Sequence, residues 1–238
     1  MTTTVGIDLG TTNSNLAFHD GQKVNVIEMQ SGLRTLPSVV SIDGNSVLVG
    51  FPALQNADNE PDYTYASFKR LMGKPYSKME DQGYQVVAHP ETGDLVYKGP
   101  DDTFYRPEDL SAFILQTLVG MAEERLGFPI DQAVITVPAG FTGPERDATI
   151  RAGKEIGLTV NILNEPTAAA LAYGVEQHKY ANVAIYDLGG GTFDVAIMEM
   201  SRGNSKTLST NGRANLGGKD FDKLLAQYAV RRLSLIHI

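Results

Sequence analysis

Two short stretches of this 238-residue chain join a carboxylate to a run of small residues in a way that suits a polyphosphate and its cation. The first is Gly6-Ile7-Asp8-Leu9-Gly10-Thr11-Thr12-Asn13 and the second Ile185-Tyr186-Asp187-Leu188-Gly189-Gly190-Gly191-Thr192. In each, an aspartate ends an apolar run, and the Gly and Thr that follow let consecutive backbone N–H groups approach an anion while hydroxyls add donors. A carboxylate at the mouth of such a turn is costly unless it meets a cation, and Mg²⁺ binds through one or two carboxylates, waters and phosphates. Taken singly, either stretch reads as an ordinary hairpin. Their recurrence, aspartate on aspartate, points instead to a duplicated lobe whose two turns face each other across a cleft and share one ligand.

Other phosphate-binding patterns fail on spacing. Leu216-Gly217-Gly218-Lys219 resembles a P-loop superficially, but Arg213 stands where the first glycine belongs and Asp220 replaces the hydroxyl residue. No G-x-G-x-x-G opens a helix after a strand, so the dinucleotide-binding fingerprint is missing too.

The elements that must hold these turns are legible around them. Val5 to Leu9, Asn15 to His19 and Lys23 to Met29 are β-prone runs separated by Gly10 to Asn13 and by Asp20-Gly21, which predicts an antiparallel meander. The stretch from about Ser38 to Arg106 mixes Pro, Gly and short strands with a predicted helix over Tyr65 to Met72, and reads as an inserted subdomain, about 39–109. After Pro107, the spacing of Leu110, Phe113, Ile114, Leu118, Met121 and Leu126 predicts an amphipathic helix stopped by Gly127. Ala133 to Val137 reads as a buried strand. Thr142 to Glu145 is a capping box opening a helix that ends near Gly157, and Val160 to Leu163 is a strand leading into an Ala-rich helix from Pro166 to Tyr173.

Composition bounds the function. The formal charge is −8 with Lys and Arg scattered, which argues against nucleic acid as a partner. Absence of Cys excludes disulfides and thiolate metal sites. The N-terminus enters a strand-like run at once, leaving no room for a signal peptide, and no apolar run has membrane-spanning length. The expectation is a cytoplasmic protein with no membrane or nucleic-acid partner.

Six motifs, GIDLGTTNS, FKRLMG, VITVPAGF, NEPTAAALAYG, DLGGGTFD and LGGKDFD, run in that order from Gly6 to Asp222 and resemble the ATPase domain of the seventy-kilodalton heat-shock chaperone family (DnaK type). The first and fifth alone would admit a carbohydrate kinase or a filament-forming actin relative of the same fold; the set of six is far more specific. The resemblance implies an α/β, actin-like ATPase fold of duplicated ribonuclease-H-like βββαβα lobes, with ATP or ADP, Mg²⁺ and K⁺ bound. It implies slow ATP hydrolysis coupled to a separate peptide-binding domain, with client peptides, a J-domain co-chaperone and a nucleotide-exchange factor as partners.

Carried over motif by motif, Gly10, Thr11, Thr12 and Asn13 hold phosphates from one lobe, and Gly189, Gly190, Gly191 and Thr192 from the other. Asp8 and Asp187 hold the metal. Lys69 reaches the γ-phosphate, Glu165 positions the attacking water, and Thr192 and Asp194 help orient it. Pro138 and Arg146 relay nucleotide state to the peptide-binding domain. The chain departs from the family pattern at Gly140, where Tyr is usual, which puts the strength of that coupling in doubt. The expected organisation is a first lobe over 1–182 and the start of a second, incomplete lobe over 183–232, so that ATP hydrolysis is expected of the full-length parent and the fragment is expected to be inactive alone. Leu233 to Ile238 abandons the amphipathic helix signalled by Phe221, Leu224, Leu225 and Tyr228, and reads as a non-native tail.

Overall fold

The computed structural model describes residues 3–29, 32–44, 46–78, 85–173, 181–201, 204–213 and 215–234. The chain divides into two compact units, Met1–Val137 with Phe141–Glu165, and Pro138–Gly140 with Pro166–Ile238.

In the first unit β1 (Thr4–Asp8), β2 (Asn13–His19) and β3 (Val24–Val26) form the expected antiparallel meander. Next come β4 (Leu36–Pro37), β5 (Val39–Asp43), β6 (Ser46–Val49), helix α1 (Phe51–Asn56) and β7 (Thr64–Ala66). The strands β8 (Val87–Ala88), β9 (Leu95–Lys98) and β10 (Phe104–Tyr105) complete the insertion as a small sheet of their own. Helix α2 (Pro107–Leu126), β11 (Gln132–Val137), α3 (Gly143–Glu155) and β12 (Thr159–Asn164) then return the chain to the main sheet, whose order is β12-β11-β1-β2-β3 with β4 beside β2. Here β1, β11 and β12 run parallel.

Local chemistry fixes these elements. Helix α2 starts with proline at its first position, where the missing N–H costs nothing, and Asp109 accepts from the Arg106 amide at 2.7 Å. It ends at Gly127, which takes φ 77° and donates to Glu123 O at 2.8 Å. Helix α3 starts at the expected box, the Thr142 amide donating to Glu145 Oε2 at 2.7 Å. Val5, Ile7, Leu16, Leu110, Ile114, Leu115, Leu118, Ala133, Ile135 and Ala148 are buried in one core between sheet and helices.

One expected element is different. Instead of a helix over Tyr65 to Met72 the chain forms β7 and then a single 3₁₀ turn, Phe68–Leu71. Tyr65 pairs with Val40 in the β5–β7 ladder and its hydroxyl donates to Lys98 O at 2.8 Å. Ser67 then takes φ 62°, a left-handed conformation that no continuous helix accommodates.

The second unit holds helix α4, which opens at Glu165 at the end of the first unit and runs to Ala172. It also holds the meander β13 (Ala181–Leu188), β14 (Phe193–Ser201) and β15 (Asn204–Arg213), and helix α5 (Gly218–Ser234). Ala170, Ala196, Met198 and Met200 form its buried cluster. Helix α5 forms as its pattern predicts, with Asp220 in the first turn and Arg231 and Arg232 in the last, charges that suit its dipole. Its apolar residues Phe221, Leu224, Leu225 and Tyr228 are all exposed. The helix runs through Leu233 and Ser234; the rest of the expected tail, 235–238, lies outside the described residues, as does Gly174 of NEPTAAALAYG.

Candidate functional site

The internal repeat is repeated in the hydrogen-bond register. Asp8 faces Asn15 across β1 and β2, and Asp187 faces Asp194 across β13 and β14. The offset that lays Asp187 on Asp8 carries all four β1–β2 pairs onto four β13–β14 pairs, ending with Val5 against Phe18 on Ala184 against Ile197. The Gly/Thr turn thus joins the same two strand positions in both copies. Beyond it the copies diverge, because β14 and β15 form a longer ribbon with an irregularity at Ile197/Met198.

In the first unit the chemistry collects at one edge of the sheet. Asp8 ends β1, Val137 ends β11 and Asn164 ends β12, so the turn Gly10–Asn13, Thr136 and Glu165 lie at or just beyond the carboxyl ends of three parallel strands. Ligands of open α/β sheets bind at that edge. Thr136 Oγ1 donates to Asp8 Oδ1 at 3.1 Å, fixing the carboxylate's orientation from the neighbouring strand. A Cβ on Gly10 would collide with the Asn13 carbonyl oxygen, so this turn closes only with glycine there. Thr12 Oγ1 is buried and has no hydrogen-bond partner among the described residues. A native hydroxyl is seldom left so, since burying it unpaired costs about 1–3 kcal/mol, and a phosphate oxygen is a fitting acceptor.

Lys69 and Glu165, far apart in sequence, form an ion pair. Lys69 Nζ donates to Glu165 Oε1 at 2.6 Å, with side chains 6% and 14% exposed. The ammonium also lies 5.8 Å from the centre of the Phe141 ring. Lysine is therefore no surface residue here; the 3₁₀ turn after Ser67 aims it inward. Arg146 bridges two chain segments, Nε donating to Phe141 O and an Nη to Asn164 Oδ1, both at 2.9 Å. It thereby ties the segment after VPA to the residue before Glu165. Pro138 follows the last residue of β11 and is buried; Gly140, two residues on, is exposed.

In the second unit Asp187 and Asp194 sit directly opposite each other, an arrangement that like charges make unfavourable without a cation nearby. Asp194 is buried and backed by Gly212, where a Cβ would lie 2.8 Å from Asp194 Oδ1. The Gly189 amide donates to Thr192 O at 3.0 Å, closing the turn. The surrounding scaffold was not foreseen from the sequence: the Gly218 amide donates to Gly189 O at 3.0 Å and the Lys219 amide to Gly190 O at 3.1 Å. The LGGKD segment that resembles a P-loop thus spends its helix-starting N–H groups on the turn Gly189–Thr192. Gly217 packs so closely that a Cβ would lie 2.5 Å from Gly190 C and Gly191 N. Two glycines in a row before an acidic helix start were the available signal.

Among the described residues no group of three or more His, Asp or Glu is arranged to hold a metal by itself. Asp8 and Asp187, each beside a Gly/Thr turn, are carboxylates of the kind that hard cations such as Mg²⁺ bind together with phosphate oxygens. No helix of the described residues is long and apolar enough to cross a membrane.

Comparison with known families agrees with this geometry: the family model described as Hsp70 protein matches residues 4–235. The mixed α/β architecture, with its turn-bearing hairpin repeated in register, is the actin-like ATPase fold.

Proposed function

The chain belongs to the Hsp70 family and carries chaperone-type ATPase sequence, and from that premise we propose that, within its full-length parent, it binds Mg-ATP and hydrolyses it to control peptide binding by a partner domain. The observation that carries this reading is the pair of register-matched turns, one of which holds the partnerless Thr12 hydroxyl.

Thr11, Thr12 and Asn13, on the turn that Gly10 opens, donate to phosphate oxygens, and Gly190, Gly191 and Thr192, on the turn that Gly189 opens, do the same in the second unit. Asp8, oriented by Thr136, and Asp187 would hold Mg²⁺, largely through waters. The ion, with K⁺, supplies neutralisation of phosphate charge. Lys69 leaves Glu165 for the γ-phosphate, where a point charge offsets charge developing in the transition state. Glu165, released, accepts a hydrogen bond from the attacking water, and Thr192 and Asp194 orient that water. Phosphoryl transfer asks for positioning and charge more than for a strong base, so loss of one of these groups slows chemistry more than it weakens binding. Arg146, tied to Phe141 and Asn164, links the residue before Glu165 to the segment after β11, and with Pro138 it would relay nucleotide state to the partner domain. Client peptides, a J-domain co-chaperone, a nucleotide-exchange factor and a cytoplasmic location follow from the same reading.

Calorimetric titration of the protein and its Asp187→Asn variant with ATP, with and without Mg²⁺, tests it. Saturable, Mg²⁺-dependent binding that the variant weakens at least tenfold is expected. No binding, binding indifferent to Mg²⁺ and to Asp187, or ADP release that requires glucose or glycerol would overturn it.

A further inference from the structure

Gly10 opens the first phosphate turn, and both of its backbone groups are held by a pair of serines to which no role is yet attached. The Gly10 amide donates to Ser14 Oγ at 3.1 Å, Ser38 Oγ lies 2.8 Å from Gly10 O, and the two hydroxyl oxygens are 2.9 Å apart. The proton positions follow by elimination. A carbonyl only accepts, so the Ser38 hydroxyl donates to Gly10 O; its single proton being spent, Ser14 donates to Ser38; and the Gly10 amide donates to Ser14. Amide, hydroxyl, hydroxyl and carbonyl therefore form a closed ring in which every bond points the same way round. Such chains strengthen each member by mutual polarisation, more so in a low-dielectric interior, and Ser14 and Ser38 are both fully buried. The Ser38 amide adds a further bond to Thr12 O at 2.8 Å.

The second copy supplies an independent argument. Phe193 occupies the position that matches Ser14, so no such ring can form there. Yet the first glycine of that turn, Gly189, is again held at both groups: its amide by Thr192 O and its carbonyl by the Gly218 amide, each at 3.0 Å. Two copies of one hairpin meet the same requirement with different chemistry. A shared packing accident would not do that, whereas a shared need for a fixed turn would.

Resting on the phosphate-binding reading of this turn, we propose that Ser14 and Ser38 are positioning residues that lock Gly10 through this ring and so aim the donors of Thr11 and Thr12 at the nucleotide's phosphates. Neither serine touches the ligand. Ser38 stands between β4 and β5, so the ring, together with the Ser38 amide's bond to Thr12 O, also fastens the start of the inserted strands to the turn.

The test uses Ser14→Ala, Ser38→Ala and the double variant, read by hydrogen exchange of the Gly10 amide and by affinity for Mg-ATP and for adenosine. Ser38→Ala is the informative change, because Ser38 does not contact that amide. Faster exchange at Gly10 in Ser38→Ala is expected, with exchange in Asp187 to Asp194 unchanged. Each single variant should lose about three- to tenfold in Mg-ATP affinity, the worth of one misaimed hydrogen bond to phosphate, with adenosine affinity unaltered. The double variant should be no worse than either single one, since a ring opens only once. Exchange accelerated equally in both turns, additive losses, or equal losses for adenosine would make the serines merely structural and sink the proposal. Unchanged Mg-ATP affinity in the variants of a protein that binds it would sink the positioning role alone. A wild-type protein that binds no Mg-ATP would sink the phosphate reading, and this role with it.

Discussion

Thr12→Val separates ligand function from scaffold function at one atom. Valine reproduces the branched shape of threonine, so the change removes the hydroxyl and little else. In the unliganded protein Thr12 Oγ1 is buried with no described partner, which places it on the unfavourable side of the hydrogen-bond ledger: an unsatisfied buried hydroxyl costs about 1–3 kcal/mol relative to one in water. Part of the residue remains accessible, so the lower end applies, and Thr12→Val should raise the free energy of unfolding by about 1 kcal/mol. With Mg-ATP present the sign reverses. A hydrogen bond to a charged phosphate contributes about 1.5–3 kcal/mol, so the variant should bind Mg-ATP about ten- to a hundredfold more weakly. Urea unfolding followed by circular dichroism in the absence of nucleotide, beside calorimetric titration with Mg-ATP, reads the two effects separately. A variant that loses stability in the unliganded state would show that the hydroxyl has a protein partner, and one that gains stability but keeps its affinity would show that the hydroxyl faces no phosphate. Either result refutes the reasoning.

Breaking the Lys69–Glu165 pair from one side should cost about 3 kcal/mol of stability in Lys69→Ala, because a largely buried carboxylate loses its ion-pair partner at 2.6 Å, while Lys69→Met with Glu165→Leu should recover most of that loss; denaturant midpoints of the single and double variants decide it. Gly217→Ala should weaken Mg-ATP binding and destabilise the second unit by about 1–3 kcal/mol, since the new methyl meets the backbone of Gly190 and Gly191 and neither can yield as a side chain could; an unchanged unfolding profile would contradict the close packing. Asp20 accepts bonds from the Lys23 and Gln22 amides and from Asn25 Nδ2, which hold its carboxyl down at about 2. Its folded-state value being below the ordinary 3.8, it stabilises the turn between β2 and β3 above about pH 4, and that contribution fades as pH falls through about 2. In an NMR titration Asp20 should report that low value, and Asp20→Asn should flatten the acid limb of stability; a midpoint near 4 would overturn the assignment.

The parts of this fold readable from the sequence were those written in local chemistry. A capping box at Thr142, a proline start and glycine stop on α2, and small residues after an aspartate each dictate backbone geometry within a few positions, and each appears where it was expected. Lys69 shows where that legibility ends. The helix expected over Tyr65 to Met72 was overridden by two distant contacts, Tyr65 with Val40 in one ladder and its hydroxyl on Lys98 O, which no window of eight residues contains. The resulting left-handed Ser67 and 3₁₀ turn carry Lys69 inward to Glu165, so the miss in secondary structure and the burial of the lysine have one cause. The site follows the same division. Carboxylates and glycines announce themselves because their types are costly away from a ligand, whereas Ser14 and Ser38 are ordinary residues made unusual only by a closed ring with Gly10. The supports of such a turn can come from any element that reaches it: serines in one copy, the N–H groups of α5 in the other. What the repeat conserves between its two halves is therefore the fixed glycine and the facing carboxyl end of the strand, and the chemistry that fixes them is free to differ.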